Sequence, residues 1–206
     1  MEYLGFSNRL PGGFAQFMVL SQDKLFAVPN GLDAQSAALT EPLAVVQHAI
    51  NAARMQRHDC ALVVGCGPIG LMLIAALKQR GVESICVIEP VLERRQLART
   101  FGATHVIEEG LEALVPEWIE LNLEHLKGYR SGANPAHASP WLIFNCVGVV
   151  GVFERVVRAA PRAARIVQVG LSLQADEFNP FFASSKELTI QYVNGYTDSE
   201  FQSSLH

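Results

Sequence analysis

From Ala61 onward, short apolar runs and amphipathic stretches take turns along the chain. Ala61–Val64 is continuously apolar, Pro68–Arg80 carries apolar residues at helical spacing, and Ser84–Ile88 is apolar again. Leu92–Phe101 then reads as a helix ended by Gly102, followed by strands over Thr104–Ile107 and Trp141–Asn145. A helix over Phe153–Ala160, a strand over Ala164–Val169 and a strand over Leu188–Val193 complete the series. Apolar strands too short for helices, separated by helical segments, predict a parallel sheet covered on both faces. The fold class expected is α/β, a doubly wound six-stranded parallel Rossmann sheet with Ala61–Val64 central.

The stretch before Ala61 has a different texture. Pro11-Gly12-Gly13 reads as a turn, Phe14–Leu20 as a strand, and Leu25–Val28 as a second strand stopped by Pro29-Asn30-Gly31. Two short strands are not stable by themselves and must dock on something. Asp33 is placed to cap a helical segment over Ala34–Ala53. Pro42 divides that segment in two or occupies the first turn of its second half. A domain boundary is therefore expected near residue 32, with residues 1–32 a partial unit and 33–206 the dinucleotide-binding domain. Between residues 108 and 140 the pattern is weakest: Leu111, Leu114, Val115, Trp118, Leu121 and Leu126 fit one helix, followed by an irregular loop.

Composition narrows the classes. Half of the 206 residues are hydrophobic, which excludes a disordered chain, and a net charge of −4 disfavours a nucleic-acid groove. The four cysteines form no Cys-x-x-Cys pair, which fits a reduced, cytoplasmic protein. The N-terminus has no signal-peptide pattern. The uncharged run Cys60–Leu77 is long enough to imitate a membrane span. Gly65, Gly67, Pro68 and Gly70 interrupt it, so no membrane segment is expected.

The chemistry concentrates at that interruption. Gly65-Cys66-Gly67-Pro68-Ile69-Gly70 matches G-x-G-x-x-G directly after a strand and at the start of a helix. Gly65 permits the tight turn, Gly67 lets a pyrophosphate approach the backbone, and Gly70 lets helix and strand pack closely. Pro68 and Ile69 open the helix whose N-terminus would face the phosphates. Glu89 ends the next strand about 20 residues on, where an acid accepts hydrogen bonds from an adenosine ribose. A carboxylate there favours NAD over NADP; Arg94 and Arg95 keep NADP open, or are surface residues of the following helix. Cys66, at a helix N-terminus, is either an oxidisable low-pKa thiol or a small residue filling the loop. His58-Asp59-Cys60 is rejected as a metal site, because three consecutive residues ahead of a strand cannot converge on one ion.

With those motifs in hand, the sequence resembles the zinc-type medium-chain alcohol and polyol dehydrogenases, in the sorbitol and threonine dehydrogenase branch. The residues that carry this are Gly12–Leu20 with Lys24–Pro29, Glu41-Pro42-Leu43-Ala44-Val45 with His48, the Gly65 loop, Arg95–Thr104, Phe144–Gly148 and Arg165–Leu171. The resemblance implies that residues 1–32 are a small β remnant of a GroES-like catalytic domain. It also implies that Glu41 lies at or beside a catalytic zinc. Val147 and Gly148 would then sit beside the cofactor, and Gly170 and Leu171 on its nicotinamide side. The alternative for Glu41 is a helix-initiating acid that complements the helix dipole. The family's catalytic cysteine, its Gly-His-Glu stretch and its structural-zinc cysteines lie upstream of the segment that matches residue 12, so the chain has the look of a fragment. Zinc belongs to the complete family, and one glutamate cannot hold it.

The function expected is hydride transfer between a secondary alcohol or polyol and NAD(P), or the cofactor-binding half of such an enzyme, inactive alone. Two other classes are open: a non-catalytic nucleotide-binding remnant serving as a partner or redox sensor, and an S-adenosylmethionine-dependent methyltransferase. The strand ends at Gly148 and Gly170 speak against the latter. The orphan strands around Phe14 and Phe26 are expected to be poorly covered, which favours dimerisation or aggregation through that surface and makes a homo-oligomer possible.

Overall fold

The computed structural model describes residues 4–5, 9–10, 12–56, 58–108, 110–111, 118, 120, 122 and 141–205. Six strands pair into one sheet: β1 (Cys60–Val64), β2 (Ser84–Ile88), β3 (His105–Ile107), β4 (Trp141–Asn145), β5 (Arg165–Gln168) and β6 (Thr189–Tyr192). Their order is β3-β2-β1-β4-β5-β6 and every pairing is parallel. The chain therefore starts mid-sheet, winds outward one way, and returns to wind outward the other. The reversal falls between β1 and β4, where open α/β sheets leave a crevice at the carboxyl ends of the strands.

Period-two alternation explains how a wholly apolar strand serves two cores. Ala61 and Val63 of β1 point to one face, with Ile85, Val87, Leu142 and Phe144. That face is covered by α2 (Thr40–Ala52), α3 (Pro68–Gln79) and, through Ala98, α4 (Leu92–Phe101). Cys60, Leu62 and Val64 point to the other, where Phe153, Val156 and Val157 of α5 (Val152–Ala159) pack. All five residues of β1 and of β2 are buried. Gly102, at φ +114°, ends α4 in the left-handed conformation that favours glycine.

The segment before α2 breaks as its proline suggests. Asp33 accepts from the backbone N–H groups of Gln35 and Ser36 and starts the short helix α1 (Ala34–Ala37), and Pro42 lies in the first turn of α2. Two further short helices were not legible as periodic patterns: α6 (Pro180–Ser185) and α7 (Asp198–Ser203).

Two expectations are corrected here. Phe14–Leu20 and Leu25–Val28 form no strands; bends, an extended run and a 3-10 turn over Gln22–Lys24 take their place. Residues of high strand propensity stay irregular when no neighbouring strand takes their ladder hydrogen bonds. Phe14, Phe17 and Val19 remain exposed, whereas Phe26 stacks on Phe201 of α7 at 5.3 Å. Of the helix expected between Leu111 and Leu126, Trp118, Glu120 and Asn122 are helical. The rest of it beyond Leu111, and the expected loop over 128–140, lie outside the described residues. No described helix is long and apolar enough to cross a membrane.

Candidate cofactor site

The loop between β1 and α3 is shaped by backbone approach. Gly65 turns the chain at φ +89°, its N–H donating to the Ile88 carbonyl at 2.9 Å. A Cβ on Gly70 would lie 2.0 Å from the Gly65 oxygen, so only glycine lets α3 start this close to the turn. At Gly67 a Cβ would meet nothing within 4 Å, so the space above the loop is open. Gly67 is the N-cap of α3 and has no side chain to satisfy the first N–H groups, and Pro68 has no N–H to satisfy. The N–H groups of Ile69 and Gly70 therefore lack acceptors inside the helix, and the dipole there favours an anion.

Glu89 follows β2 and is buried. Its Oε2 accepts the Cys66 N–H at 2.7 Å and its Oε1 accepts the Val91 N–H at 2.9 Å. A carboxylate offers about four lone-pair sites, so both oxygens can still accept a hydroxyl. The two neighbouring arginines part company. Arg95 is largely buried and donates to the Glu89 and Pro90 carbonyls at 3.1 and 2.9 Å, which pins the β2–α4 loop. Arg94 is exposed and lines the crevice. The reading of both as surface residues therefore fails for Arg95.

These groups surround a cavity of about 570 Å³. Gly65, Gly67 and Glu89 line it from the β1 and β2 side, and Val147 and Gly148 from the β4 side. Glu108 and Arg155, which the sequence did not single out, also line it. Gly170 and Leu171 stand behind that wall. A Cβ on Gly148 would lie 2.1 Å from the Leu171 oxygen, and one on Gly170 would lie 2.3 Å from the Val147 carbonyl carbon. The ends of β4 and β5 thus touch backbone to backbone.

The cavity's form fits a dinucleotide: open space over the glycine loop, N–H groups without an acceptor inside the helix at its start, and a buried acid hydrogen-bonded to that loop. Zinc is a different matter. It needs three or four converging donors, and among the described residues no three His, Cys, Asp or Glu side chains converge. Glu41, in the first turn of α2, is exposed, accepts a hydrogen bond from Tyr196 and does not line the cavity. Asp59 is taken by Arg165, and Cys60 is core. The described residues do not fit a zinc site.

Of the two readings of Cys66, the structure bears out the small residue filling the loop and not the oxidisable thiol. It is fully buried, and burial together with the Glu89 carboxylate pushes its thiol up to about 12. The helix N-terminus does not make it reactive; it is a small residue filling the loop. Cys146 is likewise pushed up to about 12 by burial.

Residues 68–206 match the family model described as zinc-binding dehydrogenase. The chain is 31% identical over 198 residues to the (R,R)-butanediol dehydrogenase of Bacillus subtilis, covering 96% of this chain and 53% of the relative. It is 38% identical over 194 residues to the sorbitol dehydrogenase of the same organism, covering 90% of this chain and 50% of the relative. An Escherichia coli CFT073 structure described as a short chain alcohol dehydrogenase complexed with NADH superposes with a TM-score of 0.76 at 25% identity. That match covers 94% of this chain and 53% of the other. The chain spans about half the length of the curated relatives it matches.

Proposed function

The chain belongs to the zinc-binding dehydrogenase family, and from that premise we propose that it is the cofactor-holding part of an oxidoreductase. The reaction would be reversible hydride transfer between a secondary alcohol or polyol and a nicotinamide dinucleotide, with NAD preferred to NADP. When bound, the nicotinamide supplies the hydride acceptor or donor. The observation that carries the reading is the buried Glu89 carboxylate, tied to the glycine loop through the Cys66 N–H, in a crevice at the reversal of strand order. Relatives that act on butanediol and sorbitol, and a neighbour complexed with NADH, support the substrate class and the cofactor.

The residues of this chain divide the work. The α3 N-terminus at Ile69 and Gly70 would hold the pyrophosphate, Glu89 the adenosine ribose hydroxyls, and Arg95 keeps the loop behind Glu89 in place. Val147 and Gly148, backed by Gly170 and Leu171, would form the wall beside the nicotinamide. Glu41, which does not line the cavity, keeps in this proposal only the place the family resemblance gives it, at or beside a catalytic zinc, and no step is assigned to it or to zinc. The division of the chain near residue 32, a cytoplasmic location and a homo-oligomeric state go with the same reading.

Alcohol oxidation by these 206 residues alone should be poor, because an alcohol is a weak hydride donor until its proton is lost, and no three donors among the described residues converge to hold a Lewis-acid metal. Competing readings lose their support: the family match disfavours a methyltransferase, and the buried Cys66 removes the basis for a thiol sensor. The test is calorimetric titration of the chain with NADH, NADPH and S-adenosylmethionine, followed by NAD reduction with a panel of secondary alcohols. Binding tightest for NADH with little turnover is expected. Binding of S-adenosylmethionine alone would overturn the proposal.

A further inference from the structure

At the carboxyl ends of β4 and β5, Asn145 and Gln168 face each other as direct register partners. Both are polar side chains buried in an otherwise apolar part of the sheet, and neither belongs to the glycine loop or the ribose site. The Asn145 Nδ2 donates to the Gln168 Oε1 at 2.7 Å. The Asn145 Oδ1 accepts the Val147 N–H at 3.2 Å, and the Gln168 Nε2 donates to the Gly170 carbonyl at 2.6 Å. Backbone bonds reinforce the link, since the N–H groups of Val169 and Gly170 both donate to the Asn145 carbonyl at 2.9 Å.

The two amides therefore connect the two strand ends, where Gly148 closely approaches Leu171 and Gly170 closely approaches Val147. Asn145 fixes the turn into Val147 and Gly148, and Gln168 fixes the carbonyl of Gly170. The close approach of Gly148 to the Leu171 oxygen depends on both turns. Val147 and Gly148 line the cavity on the side away from Glu89. If Glu89 takes the adenosine ribose, as proposed above, the nicotinamide must lie along this wall.

We infer that Asn145 and Gln168 are positioning residues for the nicotinamide half of the site, acting through the Val147–Gly148 and Gly170–Leu171 backbone and not by touching the cofactor. The inference rests on the dinucleotide reading of the cavity. Both groups are uncharged, so the device holds its geometry without a titration. A buried amide without its partner is expensive, which also makes the pair an all-or-none lock.

The pair is tested by separating the two halves of the ligand. ADP-ribose carries the adenosine, the pyrophosphate and a ribose but no nicotinamide ring. Calorimetric affinities for NADH and ADP-ribose are measured on the full 206-residue chain and on two variants. Gln168→Glu, as a carboxylate, keeps the acceptor for Asn145 and loses the donor to the Gly170 and Val147 carbonyls. Gln168→Met keeps the volume and loses both, and serves where the first variant fails to fold. The expected result is NADH binding weakened roughly tenfold, the scale of one buried hydrogen bond lost, with ADP-ribose binding unchanged. Equal loss for both ligands, or no loss for either, would overturn the inference and reduce the pair to a fold element. A wild-type chain that binds neither ligand would overturn the dinucleotide reading itself.

Discussion

The backbone N–H of Cys66 donates to Oε2 of Glu89 at 2.7 Å, so the acid that follows β2 closes the glycine loop that follows β1. The same carboxylate holds the Val91 N–H at 2.9 Å, and so joins the two loops that border the crevice. One buried side chain thus shapes the site as well as offering itself to a ligand.

Glu89→Ala should therefore damage stability and binding together. The buried Cys66 N–H and the part-buried Val91 N–H lose their acceptor, and a buried unsatisfied donor costs about 1–3 kcal/mol. Urea unfolding should show a loss of about 2 kcal/mol or more, with NADH affinity at least roughly tenfold weaker. A variant of unchanged stability would mean that the two N–H groups find other partners.

Arg94 and Arg95 should give different phenotypes despite being adjacent. Arg94→Ala should weaken NADPH more than NADH, because Arg94 lines the cavity and pins nothing in the loop. Arg95→Ala removes the donors to the Glu89 and Pro90 carbonyls and should lower stability by about 1–2 kcal/mol. Parallel titrations and melting curves distinguish them.

Gly70→Ala places a Cβ 2.0 Å from the Gly65 oxygen, a backbone atom that cannot step aside. Either α3 or the loop must move, so overpacking of about 1–3 kcal/mol is expected. NADH binding should be lost in the calorimeter while the far-ultraviolet circular dichroism keeps its α/β form.

Acid should loosen the C-terminal helix through Glu200. Burial raises the pKa of this carboxyl. The Thr197 N–H, the Asn51 amide, the Thr197 hydroxyl and His48 together outweigh burial and hold it below its ordinary value of 4.5. A depressed folded-state pKa contributes stability that is present above the ordinary value and lost as pH falls through the folded one. The stability advantage of the wild type over Glu200→Gln should accordingly be constant at neutral pH and shrink below about pH 4.5. Urea unfolding across that range checks the sign; an advantage that grows on acidification would contradict it.

The sheet was readable because β1, β2 and β4 are apolar on both faces and bounded by glycine or polar residues. Glu89 was readable because its spacing from Gly70 is set by one helix and one strand. The Asn145–Gln168 link was not, since it depends on the β4–β5 register, and a sequence does not display which residue faces which. The helix α7 did carry a signal, the Thr197-x-x-Glu200 capping box, but over too few residues to show a period. Phe14–Leu20 misled for the opposite reason: its strand propensity is real, and a strand forms only where a neighbour pairs with it. Arg95 reads like Arg94, as a surface residue, because nothing in the sequence shows that its head reaches back to the Glu89 carbonyl.

The most direct test is a crystal structure of the 206-residue chain with NADH bound. The account predicts the pyrophosphate at the Gly67–Gly70 helix start, an adenosine ribose hydroxyl on Glu89, and the nicotinamide against Val147 and Gly148. A dinucleotide bound outside this crevice, or one whose ribose leaves Glu89 untouched, would contradict it.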